Sequence, residues 1–285
     1  MSAFRETLSL HIFYLHLFDS SNQLFDKKFN FMRYQFDYNF LAIVLLFVGF
    51  GSNQLTAQNG GNALLAQFGY GSFQPAGDLS DRFGRFDSPT VGLEWINRKN
   101  LIIGVRGDFF FGNNVTENTI GDLRNDLGFL YGLGEEPAVV SLKMRGVSGY
   151  VYVGKLFPLS KDNARSGIRL TLGGGALQHK IRVQNDPQMP TPQLAGEYVQ
   201  GYDRLTNGVA LTQTLGYQLL SKNRRVNFYV GLEVTEGFTQ NRRNANFFQE
   251  PIAETGNRSD LMIGLRAAWI LPFYLNADGT DQIFY

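Results

Sequence analysis

Eight stretches of this chain carry apolar residues at every second position, and the connections between them alternate long and short. That combination constrains the fold more than any other feature. In Leu261 to Phe273, residues Leu261, Ile263, Leu265, Ala267, Trp269, Leu271 and Phe273 fall in one row, with Met262, Gly264, Arg266, Ala268 and Ile270 in the other. A helix would scatter these side chains around its axis, whereas a strand sorts them onto two faces. Leu101 to Phe111 and Val226 to Val234 repeat the pattern, and weaker versions cover 63–72, 89–97, 138–157, 166–183 and 206–220. Several of these runs are about 10–15 residues long, beyond the usual globular strand and suited to a tilted strand crossing a bilayer. The triplet Gly173-Gly174-Gly175 predicts a bulge, because the apolar parity changes across it.

The short connections are Asn97–Asn100, Pro158–Arg165 and Ser221–Arg225; the long ones cover 73–88, 113–137, 184–205 and 239–258. Four long loops at one end and three turns at the other describe an up-and-down barrel with both termini on the turn side. Alternation does not by itself say which row faces out. A soluble barrel of the lipocalin kind turns its apolar row inward, and a membrane barrel turns it toward lipid. An export signal, the strand length and aromatics near the strand ends (Trp95, Phe109, Trp269, Phe273 and Tyr274 among them) favour the membrane form, with those rings at the interfaces.

The signal reading rests on Phe40–Phe50, eleven apolar residues that are too few to span a bilayer as a helix but fit a signal-peptide core. Arg33 precedes it, and Leu55-Thr56-Ala57 offers cleavage after Ala57. A charged segment as long as 1–31 is foreign to such signals, which points to translation starting at Met32 and makes residues 1–57 an export signal with a start-site extension. The barrel domain is then 58–274, followed by a tail, 275–285, that is too short for a peptidoglycan-binding domain.

Composition removes other classes. The absence of cysteine excludes disulfide scaffolds, thiolate metal sites, cysteine nucleophiles and a lipidated N-terminal cysteine. With 26 basic and 25 acidic residues the net charge is +1, without the basic excess of a nucleic-acid binder. The mature segment holds one histidine, His179, for which a rim position with a structural or solvated role is expected. No Gly-x-Ser-x-Gly elbow, His-Glu-x-x-His or phosphate-binding loop occurs, so neither enzymatic activity nor a cofactor nor a metal is expected.

The polar rows predict a lumen charge network of Glu94, Arg106, Asp108, Arg169, Glu233 and Arg266, with Lys143 and Arg145, in which the carboxylates sit opposite the arginines. Loop 113–137 sets Glu117, Asp122, Asp126, Glu135 and Glu136 against Arg124, and Thr119-x-x-Asp122 followed by Leu123, Leu127 and Leu130 predicts a short amphipathic helix over the mouth. That acidic loop reads as solvated, or as a partner-docking or divalent-cation site. Pro187, Pro190 and Pro192 predict an extended segment, and Arg242, Arg243, Phe247 and Phe248 suit contact with lipopolysaccharide phosphates or packing on the rim.

From the export signal, Leu101–Phe111, Val226–Val234 and the closing Trp269-Ile270-Leu271-Pro272-Phe273-Tyr274, the chain resembles the small eight-stranded outer-membrane β-barrel proteins of Gram-negative bacteria, the OmpX, OmpA-transmembrane and OmpW-like group with its porin-family relatives. The resemblance implies an outer-membrane location, insertion by the barrel-assembly machinery, contact with lipid and lipopolysaccharide, and a non-enzymatic role in envelope integrity or surface binding. The alternatives are a subunit of a larger envelope or secretion complex, a small-solute channel, or a lipid hydrolase dependent on His179. The sequence departs from the family in its added tail, which ends Ile283-Phe284-Tyr285.

Overall fold

A computed structural model of the chain describes residues 61–132, 136–185, 191–221, 226–244, 246–247 and 256–275. The segment expected to be an export signal with its extension (1–57), the tail after Leu275, and Glu135, Pro187, Pro190 and Phe248 lie outside the described residues.

Among the described residues, eight antiparallel strands close into a ring: β1 (Asn62–Gly77), β2 (Phe86–Ile96), β3 (Leu101–Gly112), β4 (Val140–Ser160), β5 (Asn163–Asn185), β6 (Thr206–Leu220), β7 (Asn227–Asn241) and β8 (Asn257–Leu275). Every strand pairs with its sequence neighbours, and β1 pairs with β8 from Asn62↔Leu275 to Gly77↔Asp260, so no sheet edge remains open. The strand ends that the three short connections join share one end of the cylinder with the start of β1 and the end of β8; the strand ends that the long connections join share the other.

Turn chemistry sets the short end. Asn97 Oδ1 accepts the amides of Lys99 (2.8 Å) and Leu101 (2.9 Å), and Asn100 takes φ +60°, a left-handed conformation that asparagine tolerates better than most residues. Between β4 and β5 only Lys161 and Asp162 remain in the turn, with the Asp162 amide donating to Ser160 Oγ.

The strands reach further toward the long-loop end than alternation predicts: β1 continues to Gly77, β7 to Asn241, and β8 starts at Asn257. The outward residues there include the polar Ser72, Gln74, Glu236, Gln240 and Ser259, with Phe238 as an apolar exception. Strand pairing continues past the height at which lipid demands apolar side chains, so the apolar signal stops before the ladder does.

Two further expectations are corrected. No bulge interrupts Gly173–Gly175; the register runs unbroken through Tyr152↔Gly173, Val151↔Gly174 and Tyr150↔Gly175. The apolar row changes sides because the interior changes character with height: Leu177 and Ile181 are buried inward above the triplet, whereas Ile168 is exposed outward below it. Nor does loop 113–137 form a helix from Thr119. Among the described residues it holds a single 3-10 turn, Gly121–Leu123, without a side-chain cap, and a two-residue ladder pairing Leu130–Tyr131 with Pro137–Ala138. The proline segment is also not extended where described, since 192–194 and 196–201 wind into 3-10 turns. The helix at this end, α1 (Asp78–Arg82), lies instead in the first long connection.

Candidate functional site

Side-chain parity separates two surfaces. Outside, Val91, Val105, Val151, Val153, Leu215, Leu232 and Leu265 stand exposed, Leu265 at 61 % and Val151 at 59 %. On β3 the outward row Leu101, Ile103, Val105, Phe109 and Phe111 covers eleven residues; at a rise of ~3.3 Å and a tilt of ~40° that is about 25 Å of height, the apolar thickness a membrane barrel needs. Trp95, Phe109, Trp269 and Phe273 stand on this exterior. Tyr274 does not. It occupies an inward position of β8 and packs against the buried cluster of Ile96, Leu156 and Ile270, a correction that follows from its even parity with Arg266 and Ile270.

Inside, three layers stack. The lowest is apolar: Leu65, Ile96, Ile102, Leu156, Leu220 and Ile270 fill the short-turn end. The middle layer is ionic. Arg169 grips both carboxylate oxygens of Glu94, Nη1 to Oε2 at 2.9 Å and Nη2 to Oε1, and donates to Gln218 Oε1 at 3.0 Å. The Tyr152 hydroxyl donates to the same Glu94. Across the lumen, Arg106 reaches Glu233 at 2.7 Å and Asp108 at 3.1 Å, while Arg266 reaches Glu233 at 2.6 Å and Asp108 at 3.0 Å. Thr90 and Ser148 also donate to Asp108, so its acceptor capacity is filled. Guanidinium faces lie on Tyr150 (5.0 Å from Arg106), Tyr229 (5.1 Å from Arg169) and Phe73 (5.5 Å from Arg266). Three arginines thus balance three carboxylates from β2, β3, β5, β7 and β8, an arrangement that ties distant strands through the barrel's centre.

Lys143 and Arg145 are not part of it. Both take the outward parity of β4, shared with Val147, Val151 and Val153, and the inward neighbours at their height are Leu142 and Met144. Assigning every charge to the lumen fails there because the third layer is apolar: Phe73, Phe86, Phe110, Met144, Leu177 and Met262, closed from above by Leu79 and Phe83 of and after α1. The helix is pinned to β8 by Asp78, whose Oδ2 accepts the Ser259 amide at 2.7 Å.

His179 lies inside this upper layer at 1 % exposure rather than on a solvated rim. Its Nε2 is 2.8 Å from Asp260 Oδ2, which also accepts the Thr239 hydroxyl at 2.5 Å, and Phe83 meets the imidazole edge-on. Among the described residues no serine is hydrogen-bonded to this pair, and no group of three or more acidic, histidine or cysteine side chains is placed to hold a metal.

Above the barrel the loops pack into a cap around Ile120, Leu130, Val140, Leu194 and Tyr202, with Phe247 stacked edge-on against Tyr202 at 5.2 Å. Glu117 joins Arg82 (3.2 Å) and Arg204 (2.7 Å), so this acidic residue is consumed within the cap. Arg243 pairs with Asp203 at 2.5 Å, and that hydrogen-bonded carboxylate pushes the guanidinium above its usual range. Arg242 donates to Asn207. One segment of the cap projects: Asn125 Oδ1 accepts the amides of Leu127 (3.1 Å) and Phe129 (2.8 Å), and Arg124 closes onto the Gly128 carbonyl at 2.9 Å. Gly128 takes φ +82° at the bend, and Leu127 is 78 % exposed.

Closure, an apolar exterior and an ionic interior define the class: a small eight-stranded transmembrane β-barrel. No protein-family model matches the sequence, and no curated protein does. Among solved structures the chain is similar to Ail, the attachment invasion locus protein of Yersinia pestis, at 8 % identity and a TM-score of 0.38, covering 74 % of this chain and 99 % of that one. Ail in complex with the heparin analogue sucrose octasulfate gives 10 % and 0.36 over the same shares. The N-terminal β-barrel domain of Pseudomonas aeruginosa OprF gives 9 % and 0.31, again over 74 % and 99 %.

Proposed function

We propose that this protein is a non-enzymatic outer-membrane barrel, exported by a signal cleaved near Ala57, whose sealed interior is structural and whose loop cap binds surfaces outside the cell. The observation that carries the reading is the built tip of the cap. Asn125, Arg124 and Gly128 fix the backbone so that Leu127 and Phe129 are held in water, with Tyr131 and Val139 exposed beside them. An apolar tip that is already ordered loses less freedom on binding than a mobile loop would. The interior supports the same division of labour: the charges of the ionic belt pair with one another, and packed side chains, with the paired His179 and Asp260 among them, fill the lumen above and below.

Proteoliposomes carrying the protein should adhere to octyl-grafted beads, and Leu127→Ser with Phe129→Ser should reduce retention several-fold while leaving heat-modifiable gel migration unchanged. Equal retention of the double variant rejects the tip as the binding element. In planar bilayers the protein should give no steady conductance above the lipid baseline; an open channel would return solute transport as the function. The same tip suits an envelope protein partner, and co-purification of a stoichiometric partner after mild detergent extraction would select that reading.

A further inference from the structure

The outward row of β6 carries a side chain that hydrocarbon cannot satisfy. Val209, Leu211, Leu215 and Tyr217 stand exposed on this row, and the same parity turns Gln213 outward among them. Its cross-strand neighbours are Leu172 of β5 and Val234 of β7, which also face outward, so apolar side chains frame the amide on four sides. The other face of the strand fixes its depth. Thr212 and Thr214, on either side of Gln213, point inward at the level of the ionic belt. Thr212 lies 3.5 Å from Glu233 and 2.9 Å from Thr235, and Thr214 lies 2.6 Å from Thr171. Gln213 therefore stands midway up the wall, in the middle of the apolar band.

A glutamine amide offers two N–H donors and a carbonyl acceptor. Among the described residues none is hydrogen-bonded to the Gln213 side chain. Lys155 is also outward between apolar neighbours, but it is longer and its Nζ reaches over the Phe157 ring, 5.5 Å from the centroid, toward the short-turn end. Gln213 is too short to leave the band in that way. An unmet amide is costly where no water can reach it, so its partner is sought on a neighbouring protein.

Electrostatic complementarity selects that neighbour. An amide is complementary to itself, nitrogen donating and oxygen accepting, and two copies of one chain in a bilayer hold Gln213 at the same depth. A two-fold axis along the membrane normal beside β6 brings the two amides together. The wall next to them is low: a Cβ on outward Gly174, opposite Leu211, would meet nothing nearer than 3.6 Å.

We propose that the protein forms a parallel homodimer in the membrane through the outward face of β6, with the two Gln213 amides hydrogen-bonded to each other and Leu211 and Leu215 packed around them. The inference rests on the membrane placement proposed above.

The test uses the full mature chain, first checked for heat-modifiable migration. Sedimentation equilibrium in density-matched detergent should show a dimer, and Gln213→Leu should weaken it about tenfold while leaving the urea midpoint of the barrel unlowered. Gln213→Asn, which keeps the amide, should dimerise better than Gln213→Leu. In proteoliposomes oxidised with copper–phenanthroline, Leu215→Cys should give disulfide-linked dimers, and Leu265→Cys, exposed on β8, should not. A wild type that stays monomeric leaves the face to lipid and overturns the proposal. Equal dimerisation of Gln213→Leu, or equal cross-linking at Leu265→Cys, overturns this interface while the barrel stands. A different polypeptide co-extracted with the wild type and lost with Gln213→Leu overturns the second copy as the occupant. A chain without heat-modifiable migration overturns the membrane placement, and this interface with it.

Discussion

Glu233 accepts from both Arg106 and Arg266, so neutralising it leaves two guanidinium groups facing each other with only Asp108 between them. Breaking a buried ion pair by removing one partner costs about 3–5 kcal/mol, because the remaining charge stays desolvated. Glu233→Gln should therefore lower the urea midpoint of the detergent-refolded barrel sharply. The pair Glu94 and Arg169 allows a cleaner test. Glu94→Gln alone should destabilise by a similar amount, whereas Glu94→Gln with Arg169→Met should regain most of the loss, since no unpaired charge remains; equal losses in the single and double variants would show that the ion pair is not the unit of stability. The alternation of β2, β3, β5, β7 and β8 made these residues legible as inward before their partners were known. Residue type misplaced Lys143, Arg145 and Tyr274, because the rule of polar inside and apolar outside holds only at mid-height; their parity along β4 and β8 gives the correct side. Above and below the ionic belt the lumen is packed with Met144, Ile181 and Ile270, and the outward positions beyond the lipid band turn polar.

Strands were readable wherever lipid imposed alternation and silent where it did not, which is why β1, β7 and β8 extend past their apolar runs and why α1 carried no signal. Five residues, Asp78–Arg82, are too few to show a helical period, and Leu79 is buried by its place over the mouth rather than by any local pattern. The glycine triplet shows how the element uses its two faces. A Cβ on inward Gly175 would sit 1.9 Å from the Gly149 carbonyl oxygen, whereas one on outward Gly174 meets nothing nearer than Leu211 at 3.6 Å. Gly175→Ala should cost about 1–3 kcal/mol or block refolding, and Gly174→Ala should stay within about 0.5 kcal/mol of wild type, both read as midpoints of urea unfolding. Equal effects at the two neighbours would mean that the strand is not registered as described. The two tryptophans test the exterior directly. Trp95 and Trp269 both face outward in the half of the barrel nearer the short turns, Trp269 opposite Phe228 at the start of β7. Bromine carried on lipid acyl chains should quench the emission of both, and emission insensitive to brominated lipid would place those rings against protein.

For the whole molecule, closure and plugging have opposite consequences for its two ends. The ladder from β1 to β8 removes every edge, so strand pairing offers no route for growth, and packed clusters fill the lumen above and below the ionic belt. Contact with the outside is left to the cap and the lipid-facing wall, and which end meets the outside becomes the decisive question. The absence of native cysteine makes it answerable without a background signal. Asp162 sits in the two-residue turn between β4 and β5, and Leu127 at the tip of the cap, at opposite ends of the cylinder. Both side chains are exposed, so a cysteine at either should leave the barrel intact. In intact cells a membrane-impermeant maleimide should label Leu127→Cys, and it should label Asp162→Cys only after the outer membrane is breached. The reverse pattern would invert the barrel and turn the cap, with its exposed Leu127 and Phe129, away from the outside. Labelling of both in intact cells would mean that neither end is shielded by a membrane, and the exposed Val151, Leu232 and Leu265 would then need a protein partner rather than lipid to cover them.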